Sequence, residues 1–359
     1  MTLSFSFFLS LTLLVTGQPQ VERLPFPGVS GTLNAITDVP GVTVGHHTLI
    51  EGDHVRTGVT AILPRGRTYD PVFAGWHVLN GNGEMTGLHW VQESGFLEGP
   101  VMLTNTHSVG PVHAGTLLWM RDEGYYDGGL AALPVIGETW DGLLNDINGF
   151  HVNAEHAVLA LEAAESGPVA QGNIGGGTGM VCFRFKGGIG TASRRIEISD
   201  TQFTVGVLVQ ANFGRRADLT ILGRPIGQLF EDRLLPEPGK PEGGNSIICI
   251  IATDAPMLPH QLNRVAQRGA LGLARTGGTG KNSSGDFFLA FSTANSGAWK
   301  SIEPYTVTTI PNDAIDAVFD ATIQATEEAI INAMLHAETM IGRDGNKIHA
   351  LPAEAIQIP

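Results

Sequence analysis

The feature that most limits what this chain can fold into is a set of apolar runs that do not alternate. Residues 59–63, 101–105, 181–186, 203–210, 247–253 and 287–293 read as strands, and several are apolar at successive positions. A strand with one face in water alternates; a continuous run fits a strand covered on both faces. Between these runs lie helical patterns at 112–123, 154–165, 260–274 and 313–338, the first stopped by Gly124 and the second by Gly167-Pro168. In the last of them Ile315, Val318, Thr322, Ala325, Ala329 and Ala333 mark one apolar-to-small face, with Asp316, Asp320 and Glu327 outside it. Layers of sheet with helices outside are the simplest architecture for this mixture. No fixed-period repeat is present.

One boundary is unlike any other in the chain. Residues 231–244, "EDRLLPEPGKPEGG", hold three prolines, three glycines and six charges. They run directly into "NSIICIIATDAPM", so a polar surface loop meets a buried strand at Asn245-Ser246. A serine hydroxyl is a poor nucleophile without a base. If the bond before Ser246 is cut, the residue gains a free α-amine of pKa about 7.7–8.0, tethered to the hydroxyl it must deprotonate. That chemistry needs a chain break at the head of a rigid strand, with slack upstream. A flexible loop entering a core strand, with no chemistry at all, has the same pattern.

Composition removes several other classes. Apolar residues make up 42% and charged residues 16% of the 359, a globular balance with material for one large domain or two ordinary ones. A net charge of -14 repels a phosphate backbone, which argues against nucleic acid as a partner. The two cysteines, Cys182 and Cys249, sit in apolar runs and read as buried thiols. The apolar stretch 5–15 is too short to span a bilayer comfortably and precedes Thr16-Gly17-Gln18. It reads as a signal peptide over residues 1–17, although no Lys or Arg stands before it; export to the periplasm or medium is the expectation, with no membrane association afterwards.

Other motifs fail on spacing. "TGGTGKNSSG" has Arg275 where a P-loop needs its first glycine and Asn282 where it needs Ser or Thr. "GNIGGGTG" at 172–179 lacks the dinucleotide-binding order. His151 and His156 are five apart rather than four, on diverging helix faces, so zinc is not indicated. No Gly-x-Ser-x-Gly elbow surrounds any serine.

From Thr37 to about Asn295 the chain resembles the DmpA-type aminopeptidases of peptidase family S58, which include D-aminopeptidases and β-peptidyl aminopeptidases. The stretches that carry the resemblance are "ITDVPGVTVGHHT", "TGLHWVQESGFLEGPVMLTNTHSVG", "GETWDGLLNDING", "GGGTGMVCFRFKGGIGTASR", "VLVQANFG", "GGNSIICIIATDAPM" and "NSSGDFFLAFSTAN". It implies a four-layer αββα sandwich of the self-processing, N-terminal-nucleophile type. One domain, 18–359, would be cut between Asn245 and Ser246 into an α chain, 18–245, and a β chain, 246–359. It also implies a homotetramer of such pairs, no cofactor and no metal, and short peptides or aminoacyl amides as substrates.

Residue roles follow from the same resemblance. Ser246 matches the nucleophile. Asn212 in "VQANFG" matches a side-chain amide at the reacting centre, whose NH2 suits an oxyanion. Ser284 and Asp286 in "SSGDFF" match a serine and an acid that tune the nucleophile and its amine. Glu138 in "GETW" matches the carboxylate that pairs with a substrate ammonium, and Trp140 would sit over the substrate side chain. The D-aminopeptidase branch resembles "ETY" here, so Trp140 favours the β-peptidyl branch. Two alternatives stand beside this reading. One is an N-terminal-nucleophile acyltransferase similar to ornithine acetyltransferases, for which a Thr nucleophile is expected. The other is a non-catalytic periplasmic binding protein with the same fold.

Overall fold

The computed structural model describes residues 24–125, 133–238, 246–300 and 302–357. The expected signal peptide, 1–17, and Asn245 of the expected cleavage site lie outside these residues.

In chain order the elements are β1 (Thr43–Glu51), β2 (Val55–Arg67), β3 (Val72–Gly81), α1 (Leu88–Ser94), β4 (Phe96–Leu97), β5 (Val101–Asn105), α2 (Val109–Asp122), β6 (Val135–Thr139) and α3 (Ala154–Glu162). There follow β7 (Val181–Cys182), β8 (Phe185–Lys186), β9 (Gly188–Ile198), β10 (Thr201–Asn212), α4 (Ile226–Leu229), β11 (Ser246–Thr253), α5 (Pro259–Arg275), β12 (Gly285–Ser292), α6 (Asp316–Leu335), β13 (Met340–Ile341) and β14 (Lys347–Ile348). One sheet has four strands in the order β1-β2-β5-β6; a second has six, β4-β3-β12-β11-β10-β9.

Three apolar interiors separate four layers. In β11, Ile247, Cys249 and Ile251 enter a core shared with α5 and α6, while Ile248, Ile250 and Ala252 enter the core between the two sheets. The same division holds in β5, where Met102 faces α2 and α3 and Val101 and Leu103 face the other sheet. Side chains alternate along a strand, so a strand between two dry layers must be apolar at every position. This is the physical origin of the unbroken runs, and the architecture is the expected αββα sandwich. Gly137 lets the sheets close on each other where β6 crosses β11; a Cβ there would stand 3.2 Å from Ile248 Cγ2.

Both cysteines are buried free thiols. Two expectations change. Residues 181–186 are not one strand but a tight hairpin, β7 and β8, with Phe183 (φ 50°) and Arg184 (φ 61°) in the left-handed region. Arg216 holds that turn. Its guanidinium lies over the Phe185 ring at 3.3 Å and donates to the carbonyls of Phe183 and Arg184, which the strained turn leaves unpaired. Glu327 is also not on an outer face of α6. It is buried and pairs with Arg275 at 3.2 Å, because α6 packs against α5 as well as against β9 and β10.

Candidate active site

The register of the six-stranded sheet gathers the site at one end. Ser246 opens β11 and lies opposite Asn212, the last residue of β10, in an antiparallel pair. On its other side β11 runs parallel to β12, with Ile247 beside Asp286. Ser246 is half-buried, and its Oγ accepts the Gly285 N–H at 3.1 Å. That bond uses the hydroxyl oxygen as acceptor, so the hydroxyl can still donate its own hydrogen.

Asn212 is buried, and its amide is held by two backbone groups. Oδ1 accepts from Val181 N–H and Nδ2 donates to the Trp140 carbonyl, both at 2.8 Å. An N–H can only donate and a carbonyl can only accept, so the amide has one orientation. One hydrogen of Nδ2 is not used by the Trp140 carbonyl.

Ser284 Oγ donates to Asp286 Oδ1 at 2.6 Å, and Asp286 Oδ2 is buried with no partner. Burial pushes the Asp286 carboxyl up to about 6, with the Ser284 hydroxyl and the Ile247 backbone acting the other way. The "TGGTGK" segment that resembles a P-loop passes over this carboxylate. A Cβ at Gly280 would stand 3.5 Å from Oδ2, and the small adjoining cleft is lined by Phe213, Lys281, Ser284 and Asp286 among others.

Glu138 comes from the opposite sheet, near the end of β6. It is buried, its Oε1 accepting the Glu84 N–H at 2.9 Å and its Oε2 the Thr106 hydroxyl. Burial raises its carboxyl above the usual range, while those two donors act the other way. Gly83 fills the space between this carboxylate and Gly285, whose N–H holds Ser246 Oγ. A Cβ there would lie 2.9 Å from Glu138 Oε1 and 3.6 Å from Gly285 Cα. Trp140 is 39% exposed, its ring packed against Gly142, where a Cβ would come within 2.6 Å of it.

Five of the six side chains singled out in the sequence therefore stand together, and Trp140 joins them through its backbone carbonyl. Asn212 faces Ser246, Gly285 joins Ser246 to Ser284 and Asp286, Asn212 binds the Trp140 carbonyl, and Glu138 lies across Gly83 from Gly285. Thr106, Gly83 and the N–H groups of Glu84, Val181 and Gly285 escaped the sequence reading. Thr106 lies inside "TNTHS", within a resembling stretch, but a hydroxyl there has no spacing signal. Backbone donors have none at all. The two histidines of the rejected zinc motif do not share a helix as the sequence reading had it: His151 precedes α3 and faces Asp146 at 3.3 Å, while His156, in the first turn of α3, stacks on His47.

Residues 34–348 match peptidase family S58. The chain is 50% identical over 351 residues to the beta-peptidyl aminopeptidase BapA of Sphingosinicella microcystinivorans, covering 92% of this chain and 88% of that one. Among solved structures it is similar to the L-aminopeptidase D-Ala-esterase/amidase of Ochrobactrum anthropi, described as a prototype serine aminopeptidase with a variant Ntn hydrolase fold. The TM-score is 0.88 at 47% identity, over 93% of this chain and 95% of that one. A beta-aminopeptidase of Burkholderia sp. gives a TM-score of 0.86 at 47% identity, over 92% and 94%. With a serine at the head of a doubly covered strand and a buried carboxylate beside it, this chain belongs to peptidase family S58 and is a serine aminopeptidase of the Ntn hydrolase fold.

Proposed function

We propose that the chain cuts itself between Asn245 and Ser246 and then removes N-terminal β-amino acids from short peptides and aminoacyl amides. The observation that carries this is the buried Glu138 carboxylate standing across Gly83 from the Gly285 N–H that holds Ser246 Oγ. A carboxylate so near a nucleophile senses a substrate's free ammonium by charge-assisted hydrogen bonding. The freed α-amine of Ser246 takes the proton from Oγ, which attacks the scissile carbonyl. The oxygen gains negative charge and receives the spare Asn212 N–H. The C–N bond breaks as the leaving amine takes the proton back, and water then releases the acyl group by the same route.

A β-amino acid carries its amine one carbon farther from the carbonyl than an α-amino acid does. The span from Glu138 to Ser246 selects between the two classes, and Trp140 walls the side chain. The β-peptidyl relative and the "ETW" sequence support this choice. Initial rates on a β-homoaminoacyl p-nitroanilide and on its L- and D-α counterparts test it. The β substrate is expected to have the highest kcat/KM; a higher value for an α substrate assigns the chain to the L-aminopeptidase/D-esterase type. Export after removal of 1–17 and assembly into a tetramer of α/β pairs belong to the same reading, on the grounds of the apolar start and the family resemblance.

Asn212→Ala is expected to lower kcat about 10²-fold, the usual cost of one oxyanion donor. An enzyme with normal kcat and correct processing removes Asn212 from the chemistry. Asp286 gives a pH signature. The Ser246 amine must be neutral, so log kcat falls with slope one below its pKa of about 7.7–8.0. Below about 6 Asp286 takes up a proton and no longer accepts from Ser284 as a carboxylate, so the slope steepens to two. Asp286→Asn is expected to abolish that second break; its persistence in the variant excludes Asp286 as the group responsible.

A further inference from the structure

Lys186 is fully buried, a few residues before β9, and its three hydrogens go to three carbonyls: Met180 at 2.7 Å, Gly187 at 2.8 Å and Gly177 at 3.3 Å. A buried ammonium carries a desolvation cost that an apolar side chain of the same length avoids. Burial pulls this ammonium below the usual lysine range, with Cys182 and Asp141 acting the other way, and the three carbonyl acceptors favour its charged form. Such a cost is tolerated where the charge does something that packing does not.

The Met180 carbonyl and the Val181 N–H are two ends of one planar peptide group. Lys186 grips the carbonyl end, and the N–H end donates to Asn212 Oδ1 at 2.8 Å. The Asn212 amide in turn donates from Nδ2 at its other end. A cation on the carbonyl oxygen draws charge along this chain and makes each following N–H a stronger donor. Lys186 also ties the Gly177 and Gly187 carbonyls together, which fixes where that peptide plane stands.

We propose that Lys186 is a positioning residue of the aminopeptidase reaction, acting through the Met180–Val181 peptide to orient and polarise the Asn212 side-chain amide. The proposal rests on the reading of Asn212 as the oxyanion donor. It assigns a task to a buried charge that never touches substrate.

A double-mutant cycle tests it, with kcat and KM measured on one aminoacyl p-nitroanilide and expressed per processed two-chain enzyme. Lys186→Met is expected to lower kcat about tenfold or more, the effect of one charge-assisted hydrogen bond, with KM within about twofold. In an Asn212→Ala background the same substitution is expected to cost less than about twofold, since the amide it serves is gone. General loosening of the fold would instead add the two losses. Additive losses, or wild-type kcat in Lys186→Met, overturn the proposal while leaving Asn212 in place. Wild-type kcat in Asn212→Ala alone overturns the Asn212 reading and the proposal with it. If Lys186→Met does not yield soluble two-chain protein, Lys186→Gln, which keeps amide donors for part of the carbonyl set, is read in the same cycle by the same criteria.

Discussion

Ser246→Ala is expected to remain a single polypeptide and to lose turnover, on the order of 10⁶-fold, as when a serine hydrolase loses its nucleophile. Both reactions need the same oxygen. In self-cleavage Oγ attacks the carbonyl of the bond before it; in catalysis it attacks the substrate. Alanine keeps the Cβ and the whole backbone, so β11 still pairs with β10 and β12, and Ile247 and Ile248 still enter their two cores. The Gly285 N–H loses its acceptor, but Ser246 is only half-buried and water can take that place. The fold should therefore survive while the chemistry stops. On a denaturing gel the wild type is expected as two bands, the smaller beginning Ser246-Ile247-Ile248, and the variant as one. Efficient processing of Ser246→Ala would falsify the mechanism.

What could be read in advance follows from what each residue contacts. β5, β10, β11 and β12 were legible because each lies between two dry layers and carries a run of successive apolar residues there. β9 was not. It carries two glycines and the fully buried Arg194, whose charge is met by Glu328 of α6 at 2.6 Å. A charged residue reads as surface until its partner is known. Glu327 misled for the same reason. The 181–186 run looked like a strand because its residues are buried, but the burial comes from a hairpin closed by Arg216, far along the chain.

The site divides similarly. Ser246 was marked by the abrupt loop-to-strand boundary, a pattern that a plain loop entering a core strand shares, and the family resemblance singled it out. Asn212, Ser284, Asp286 and Glu138 carried no local signal and were placed by family resemblance alone. Sheet register explains why: Asn212 and Ser246 are neighbours only because β10 and β11 pair across the intervening loop, and Ser284 and Asp286 only because β12 lies parallel to β11. Gly83, Thr106 and Lys186 act through space or through backbone, and neither leaves a spacing to find.

Glu138→Gln is expected to raise KM about 10–100-fold with a smaller loss in kcat. The substitution is close to isosteric, and the pocket accepts it. The Glu84 N–H must donate, so the amide oxygen of Gln turns toward it. That leaves the NH2 facing Thr106, whose hydroxyl now accepts where it donated to Glu138. Both contacts survive and only the charge is lost. A hydrogen bond to a charged group contributes about 1.5–3 kcal/mol, which sets the range for KM. The ammonium is bound in the ground state and the transition state alike, so the loss falls on KM more than on kcat. Acid gives the same answer by another route. Burial raises the Glu138 carboxyl, and it must be ionised to hold the ammonium, so KM is expected to rise as pH falls through its pKa; Glu138→Gln, already neutral, should lack that rise. Acetylating the substrate amine removes the opposite charge and is expected to abolish turnover in the wild type. Equal rates on free and acetylated substrates would show that Glu138 does not read the amino terminus.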